Sequence, residues 1–271
     1  MIGKRLRLNR FRYPTSKLGL IVPMDHGLTL GPIEGLGTVA EAMAWIQHPA
    51  ITGVIGHKGL IERLIDRDCL GNVGVMLHLN GMSALAPSPD RKELLTQVDT
   101  AVRLGVDGVS MQLNFDGSND AHNLKLLGSV ADSAQRYALP LMVMVYDKKK
   151  PSSKIECMNR LRHLMRIGME LGADALKIAP PADLGEMPSL LTGISEDISI
   201  YFAGGTLASD DVLIDLTRAI IRHGAAGLCV GRNIFQRSNP IEILNSLGSL
   251  LRQERVSLRE VKGNYLEHGL H

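Results

Sequence analysis

One lysine of the sequence stands inside an apolar run, where a charged side chain is rarely tolerated. Lys177 lies within residues 175–179, and Pro180 and Pro181 follow at once. Apolar surroundings disfavour the charged ammonium and so lower its pKa, and the resulting neutral amine can attack a carbonyl carbon. The alternative is a strand-end lysine whose ammonium reaches solvent or pairs with a carboxylate. Lys177 is therefore the first candidate nucleophile.

Two further groups suited to proton transfer follow other apolar runs. Tyr146 ends the run 141–145, and Asp25 follows the run 18–24. A phenol can pass a proton to an alkoxide or carbinolamine oxygen, and a carboxylate can orient a hydroxyl or relay a proton. The alternatives are a buried tyrosine with a satisfied hydroxyl and a salt bridge between Asp25 and Lys177. We predict that Tyr146 and Asp25 join Lys177 in catalysis.

Two glycine turns late in the sequence are suited to holding an anion. Gly204-Gly205 and Gly231-Arg232 each end an apolar run. Glycine lets backbone N–H groups approach an anion closely, and barrels built of βα units often bind phosphate after their seventh and eighth strands. Simple turn glycines are the alternative. We assign these four residues to phosphate binding, with His26, at the end of the first run, as a further substrate contact.

Eight short apolar runs alternate with amphipathic segments along the chain, and they must position these side chains. The runs are continuous rather than alternately polar, as is typical of parallel strands covered on both faces. They are 18–24, 53–57, 73–79, 108–114, 140–146, 175–179, 198–203 and 227–231. This order predicts an α/β fold, a single-domain (β/α)8 TIM barrel over residues 1–271. An open doubly wound sheet is the alternative, which the lack of GxGxxG after the first run disfavours.

The segments between the runs carry helix signals. Helical spacing predicts helices over 91–104, 124–137, 156–171 and 210–223. Asp90 and Ser209 stand where N-caps belong. Gly105, Gly172 and Gly224 stand at helix ends, where glycine adopts the left-handed conformation easily.

Composition narrows the class of protein. The chain has 271 residues, 45% of them hydrophobic, a net charge of +2 and three cysteines. None of the cysteines forms a CxxC pair, which excludes a disulfide scaffold. The run 18–24 is too short for a membrane span, which needs about 20 residues. We expect a cytoplasmic protein with no membrane partner.

The two chain ends are predicted to lie outside the barrel. Six basic residues precede the first acidic residue: Lys4, Arg5, Arg7, Arg10, Arg12 and Lys17. Such an arm, residues 1–17, can contact nucleic acid, but a solvated or subunit-bridging segment is the favoured interpretation, so we predict no nucleic-acid partner. At the other end, residues from about 253 to 271 are predicted to form a helical tail.

Several motifs resemble those of the archaeal-type class I aldolases, which act through a lysine Schiff base. The closer likeness is to the 2-amino-3,7-dideoxy-D-threo-hept-6-ulosonate (ADH) synthase branch, and it extends over almost the whole chain. The matching pieces are Val22-Pro23-Met24-Asp25-His26-Gly27, Gly31-Pro32-Ile33-Glu34-Gly35-Leu36, His57-Lys58-Gly59, His78-Leu79-Asn80-Gly81, Gly224-Ala225-Ala226-Gly227 and Val230-Gly231-Arg232-Asn233-Ile234-Phe235-Gln236.

The resemblance implies a Schiff base between Lys177 and a ketose phosphate, with Tyr146 as acid/base and Asp25 assisting. It implies that the partners are a ketose phosphate and an aldehyde, with neither cofactor nor metal. In the ADH synthase branch the acceptor is L-aspartate semialdehyde, and the step feeds aromatic amino-acid or aminobenzoate synthesis. The family commonly forms rings of subunits, so a homo-oligomer is expected, up to a decamer.

The sequence departs from the family beside the two reacting side chains. Met144 stands where the bisphosphate aldolases have tryptophan, as in the ADH synthase pattern. Asp147-Lys148-Lys149 replaces the usual Pro-Arg-Gly, and residues 178–181 replace a Tyr-Thr-Gly-like stretch. These positions choose the substrate, so a role in secondary metabolism fits the changes.

Three other functions compete with this interpretation. A class I fructose-bisphosphate aldolase uses the same chemistry on another substrate. A metal-dependent lyase is suggested by His26, His57 and His78 at the ends of the first three runs, because zinc takes three such ligands and an open position. A sugar-phosphate-binding barrel without turnover is the third.

Overall fold

The structure, a computed structural model, describes residues 2–149, 151 and 153–253 of the chain. Its barrel strands are β1 Gly19–Pro23, β2 Gly53–Gly56, β3 Gly74–His78, β4 Gly108–Phe115, β5 Leu141–Asp147, β6 Ala175–Ile178, β7 Ser199–Ala203 and β8 Gly227–Cys229. Its helices are α1 Ile2–Asn9, α2 His26–Leu30, α3 Val39–Met43, α4 Lys58–Asp66, α5 Val98–Arg103, α6 Asp120–Arg136, α7 Lys154–Glu170, α8 Met187–Leu191, α9 Asp210–His223, α10 Arg232–Phe235 and α11 Pro240–Arg252. A short 3-10 turn, Leu184–Glu186, precedes α8.

The eight strands close into a parallel barrel in which each strand pairs with its sequence neighbours and β8 pairs with β1. All eight predicted strands are present, so the (β/α)8 barrel is confirmed. Parallel pairing puts every strand's carboxyl end at one mouth, which is where barrel enzymes carry their active sites. None of the helices in the described part of the chain is both long and apolar enough to cross a lipid bilayer.

Successive side chains along each strand point alternately into the barrel interior and toward the layer under the helices. The interior cluster is made mainly of flexible and β-branched side chains, with few aromatics: Phe11, Ile21, Ile55, Met76, Met142, Met144, Ala175, Tyr201 and Cys229. The other face of each strand packs under the surrounding helices in a larger apolar core. The interior is therefore filled below the mouth.

Phe11 closes the floor of the barrel. Its side chain is 1% exposed, and a Cβ added at Gly53 or Gly74 would lie 2.5 or 3.0 Å from its ring. Strands β2 and β3 therefore begin with glycine because larger side chains would collide with this ring.

The basic arm lies against the floor of its own barrel. Lys4 pairs with Asp174 at 2.8 Å, and Arg10 pairs with Asp107 at 2.9 Å. The arm's charges thus neutralise carboxylates in the loops that enter the strands. The predicted C-terminal tail lies outside the described residues except for Gln253.

Three helix predictions are confirmed within a few residues, and one is wrong at its start. The segment predicted as 91–104 becomes helical only at Val98, and Glu93–Leu94 instead pairs with Asn80–Gly81 in a small antiparallel hairpin. Asp90 therefore caps no helix, and its carboxylate pairs with Lys148 at 2.8 Å. Ser209 does precede α9, although its side chain makes no cap hydrogen bond. The glycines at three helix ends, Gly105, Gly172 and Gly224, have positive φ as predicted.

Candidate active site

Lys177 lies inside the barrel, one residue before the end of β6. Its inward neighbour on the strand is Ala175, and Leu176 and Ile178 face the outer core. The residue is 6% exposed, and its Nζ lies 3.8 Å from the Met144 sulfur on β5. No carboxylate of the described residues forms an ion pair with it. The amine is thus buried at the base of the mouth.

The pKa of Lys177 is raised rather than lowered. Burial opposes the charged ammonium, but the electrostatic influence of Cys229, Tyr146 and Asp25 outweighs burial. The expectation of a lowered pKa, which considered apolar surroundings alone, is wrong. The resting side chain is an ammonium, so any attack on a carbonyl requires a neighbour that takes its proton.

Tyr146 is the neighbour on the next strand. It stands near the end of β5, packs against the interior cluster and lies close enough to the Lys177 amine to raise the pKa of that amine. Register explains the meeting, because Met144 on β5 aligns with Lys177 and Tyr146 stands one inward position further along. The structure therefore brings these two predicted residues together.

Asp25 lies near Lys177, between two histidines. Its side chain is 13% exposed, and its oxygens lie 3.7 Å from His26 Nδ1 and 3.7 Å from His78 Nε2. Burial works to raise the pKa of Asp25, but His78, His26, Lys177 and His57 outweigh it and hold the pKa well below its usual range. Its buried Oδ1 has no hydrogen-bond partner among the described residues. Asp25 is thus an ionised carboxylate with one acceptor free.

His78 and Ser110 support Asp25 from below, and sequence reasoning missed both as supports. The Ser110 hydroxyl lies 2.8 Å from His78 Nδ1, and both side chains are buried. When the hydroxyl donates to Nδ1, the ring proton sits on Nε2 and faces the carboxylate. The pair could have been identified from strand position, because both residues lie on barrel strands at the end of the interior layer.

The buried neutral His78 makes stability depend on pH. Burial lowers the pKa of His78 to about 3 from its ordinary 6.5. Between about pH 3 and pH 6.5, His78 is protonated in the unfolded chain but neutral in the folded chain. The free energy of unfolding therefore falls as pH drops below 6.5. From pH 7.5 to 5 this residue alone should cost about 2 kcal/mol of unfolding free energy.

The measurement is denaturant unfolding at the two pH values for the wild type, His78→Asn and the exposed-histidine control His163→Asn. We expect His78→Asn to lose about 2 kcal/mol less than the wild type on acidification, and the control to lose as much as the wild type. Equal losses in all three proteins would contradict this assignment of His78.

The predicted phosphate turns meet on the other side of the mouth. Asn233, which sequence reasoning did not single out, is 1% exposed and donates to the Gly204 and Thr206 carbonyls at 3.0 and 2.9 Å. The same amide accepts from the Ala208 N–H at 2.9 Å. Asn233 therefore ties the loop after β7 to the turn after β8, and its place directly after Gly231 and Arg232 is the sequence signal for it.

Four of the predicted binding residues lie in or next to the two glycine turns. A Cβ on Gly205 would meet no atom within 4 Å, whereas one on Gly231 would lie 2.9 Å from the His26 ring. The Arg232 guanidinium has no ion-pair or hydrogen-bond partner among the described residues, and its charge helps lower the pKa of His26, after burial and Lys177. His26 also packs edge-on against Phe235, at 5.5 Å between ring centroids. The structure thus groups His26 with Gly231 and Arg232.

The three histidines of the metal hypothesis do not converge as a ligand set. The His57 and His78 rings pack edge to face with centroids 5.1 Å apart. Within the described part of the chain, no group of three histidine, cysteine or carboxylate side chains is arranged to hold a metal ion. His78 directs its two nitrogens to Ser110 and Asp25 instead.

Comparisons with known proteins agree with this barrel. The sequence profile of the DeoC/LacD family aldolases matches residues 19–237. The chain is 33% identical over 250 residues to 2-amino-3,7-dideoxy-D-threo-hept-6-ulosonate synthase 1 of Archaeoglobus fulgidus, covering 91% of this chain and 90% of that protein. It is 26% identical over 250 residues to 2-amino-4,5-dihydroxy-6-oxo-7-(phosphonooxy)heptanoate synthase of Streptomyces griseus, covering 92% and 90%. A solved Schiff-base-forming fructose-1,6-bisphosphate aldolase shares the fold, with a TM-score of 0.80 at 22% identity over 92% of this chain and 99% of that one.

Proposed function

This chain belongs to the DeoC/LacD aldolase family, and on that premise we propose that it is a class I aldolase that joins a ketose phosphate to an aldehyde through a Schiff base on Lys177. The observation that carries the proposal is the buried Lys177 amine, whose pKa is raised by Tyr146 and by the ionised Asp25. An unpaired lysine in a barrel interior is costly unless it is used. Covalent catalysis is the use that fits.

The proposed sequence begins with attack of the Lys177 nitrogen on the ketone carbon, while one ammonium proton is relayed through the Tyr146 hydroxyl to the carbonyl oxygen. A second nitrogen proton reaches the same oxygen, so the carbinolamine loses water and an iminium ion remains. The iminium is an electron sink, so Tyr146 relays a proton from the adjacent carbon to the released water and an enamine is left. The enamine carbon attacks the aldehyde, the new alkoxide takes that proton back, and addition of water to the iminium releases the product and the amine. Asp25, with its free oxygen, orients the substrate hydroxyls.

The donor's phosphate is proposed to lie at the turns after β7 and β8. Arg232 offers a guanidinium that has no partner among the described residues, Gly205 leaves space for backbone approach, and His26 lies beside Gly231. A phosphate fixed there orients the ketone toward Lys177, and such positioning contributes up to roughly 7–11 kcal/mol to catalysis.

Gly231→Ala tests this location of the phosphate. The added Cβ would lie 2.6 Å from the Pro23 carbonyl oxygen and 2.9 Å from the His26 ring, so the turn must shift. We expect kcat/KM for the ketose phosphate to fall about 10- to 100-fold, as is typical of small misplacements. The matched control Gly128→Ala, on α6 where a Cβ meets nothing within 4 Å, should keep the wild-type value. An unchanged kcat/KM in Gly231→Ala would show that the phosphate does not bind at this turn.

The acceptor is proposed to be of the aspartate-semialdehyde type. The product named for the Streptomyces relative is a seven-carbon acid with an amino group at C2, a ketone at C6 and a phosphate at C7. The aldol bond of such a compound lies between C4 and C5. Breaking it leaves a three-carbon ketose phosphate and a four-carbon 2-amino acid aldehyde. The name of the Archaeoglobus relative describes the same carbon skeleton and amino group.

The test is a product assay. The enzyme is incubated with dihydroxyacetone phosphate and L-aspartate semialdehyde, and the products are resolved by mass. A condensation product with the summed mass of both substrates is expected. Cleavage of fructose 1,6-bisphosphate without that product would favour the bisphosphate aldolase, and loss of all turnover with a chelator alone would favour the metal-dependent lyase.

A further inference from the structure

A second buried lysine stands at the barrel mouth, and the mechanism above does not use it. Lys92 is 4% exposed, and among the described residues its Nζ donates only to the Met82 carbonyl, at 3.4 Å. It forms no ion pair with any of the described residues. Burial lowers the pKa of Lys92. The lowered pKa reflects the free-energy cost of burying an ammonium that has few polar partners.

The hairpin that carries Lys92 is firmly held above β3 and β4. Asn80 exchanges two hydrogen bonds with the Gln112 backbone, both 2.8 Å. The Leu79 carbonyl accepts from two N–H groups of residues 95–96. His122 on α6 contacts the Lys92 carbonyl at 2.9 Å. The ammonium is therefore preorganised rather than free to seek solvent.

Lys92 lies across the barrel mouth from the proposed site of the donor's phosphate. The hairpin follows β3, and in a closed ring of eight strands β3 lies opposite β7, which carries Gly204 and Gly205. The hairpin residue Gly81 borders the His57 ring, since its added Cβ would lie 3.5 Å from that ring. Lys92 also acts electrostatically on His57 and His78, the histidines around Asp25.

Three carboxylates on the hairpin side of the mouth have closer partners than Lys92. Asp90 pairs with Lys148 at 2.8 Å, Glu93 pairs with Arg91 at 2.8 Å, and Asp147 pairs with Arg160 at 2.7 Å. Asp90 and Asp25 act on Lys92 from a distance, but none of the carboxylates among the described residues lies within ion-pair distance of its Nζ. A buried, fixed and unpaired ammonium is a receptor for an anion.

We propose that Lys92 binds the anionic group of the acceptor aldehyde, a carboxylate or a phosphate, and so selects anionic acceptors. The inference rests on the proposed function, because it assumes that an acceptor aldehyde reaches the enamine on Lys177. Donor and acceptor are then held by separate cations on opposite sides of the mouth, with their reacting carbons between them.

The experiment compares acceptors that differ in charge, with dihydroxyacetone phosphate as donor. Succinate semialdehyde is paired with butanal, and glyceraldehyde 3-phosphate with glyceraldehyde. In Lys92→Met we expect KM for the preferred anionic aldehyde to rise about 10- to 100-fold, as for a lost charged hydrogen bond. KM for its neutral partner should change by less than a factor of about 3. The pair with the larger effect identifies carboxylate or phosphate.

Controls separate this role from a structural one. Lys125→Met makes the same chemical change on the exposed face of α6 and should leave both KM values alone, and Lys92→Arg should recover part of the anion preference. An equal rise for charged and neutral aldehydes, or no rise, would overturn the inference. If the wild type forms no borohydride-trapped adduct with the donor, the proposed function fails and the inference fails with it. An adduct without charge discrimination overturns the inference alone.

Discussion

Replacing Lys177 by methionine is expected to abolish aldol turnover, with kcat falling by at least about 10⁴-fold, as for the loss of other covalent nucleophiles. Methionine keeps most of the side-chain volume in an interior already rich in Met142 and Met144, so the barrel should fold. The phosphate turns lie on other strands, so binding of the ketose phosphate should persist. Steady-state kinetics and direct donor binding measure the two quantities.

The matched control is Lys125→Met, which should keep wild-type turnover. A Lys177→Met enzyme that turns over at a rate near that of the wild type would refute the assignment of the nucleophile. A variant that loses turnover only because it fails to fold is recognised by its unfolding transition, and Lys177→Arg then provides a charged substitute that cannot form an imine.

Replacing Tyr146 by phenylalanine is expected to lower kcat by about 10²- to 10⁴-fold, the usual contribution of a positioned acid or base. The ring packs against the interior cluster and should remain there, so only the hydroxyl that faces the Lys177 environment is lost. KM for the ketose phosphate should change little because the phosphate is held elsewhere. Separate determination of kcat and KM distinguishes catalysis from binding.

Tyr137→Phe is the control for the same chemical change, since that hydroxyl donates to Asp99 at 2.6 Å on the protein surface. It should leave kcat at the wild-type level. A large rise of KM with an intact kcat in Tyr146→Phe would make Tyr146 a binding residue.

The barrel was predictable because its strands are buried on both faces. Strands that are buried on both faces require continuous apolar runs, and the sequence shows eight of them. Parallel pairing then places Asp25, Tyr146 and Lys177 at one mouth of the barrel. The polar residues at or near the carboxyl ends of the runs therefore indicated the site. Only the spacing along one chain was needed for this step.

The supporting parts depend on contacts between distant segments, which no local pattern encodes. The strands of the hairpin beneath Lys92 have two residues each, too few for a period to appear. Helical spacing in 91–104 concealed them. The raised pKa of Lys177 likewise depends on Cys229, Tyr146 and Asp25, which come from three other parts of the sequence.

Other expectations from the sequence stay predictions. The cytoplasmic location, the ring of subunits and the place in aromatic or secondary metabolism are among them. The metal-dependent alternative receives no support from the arrangement of His26, His57 and His78 within the described residues.

The most direct test of the central claim is reduction of the enzyme–donor mixture with borohydride, followed by mass mapping of the peptides. The account predicts a stable adduct of dihydroxyacetone phosphate on Lys177, in a ratio of about one per chain, and none in Lys177→Met. An active enzyme that yields no adduct, or an adduct mapped to another lysine such as Lys92, would contradict it.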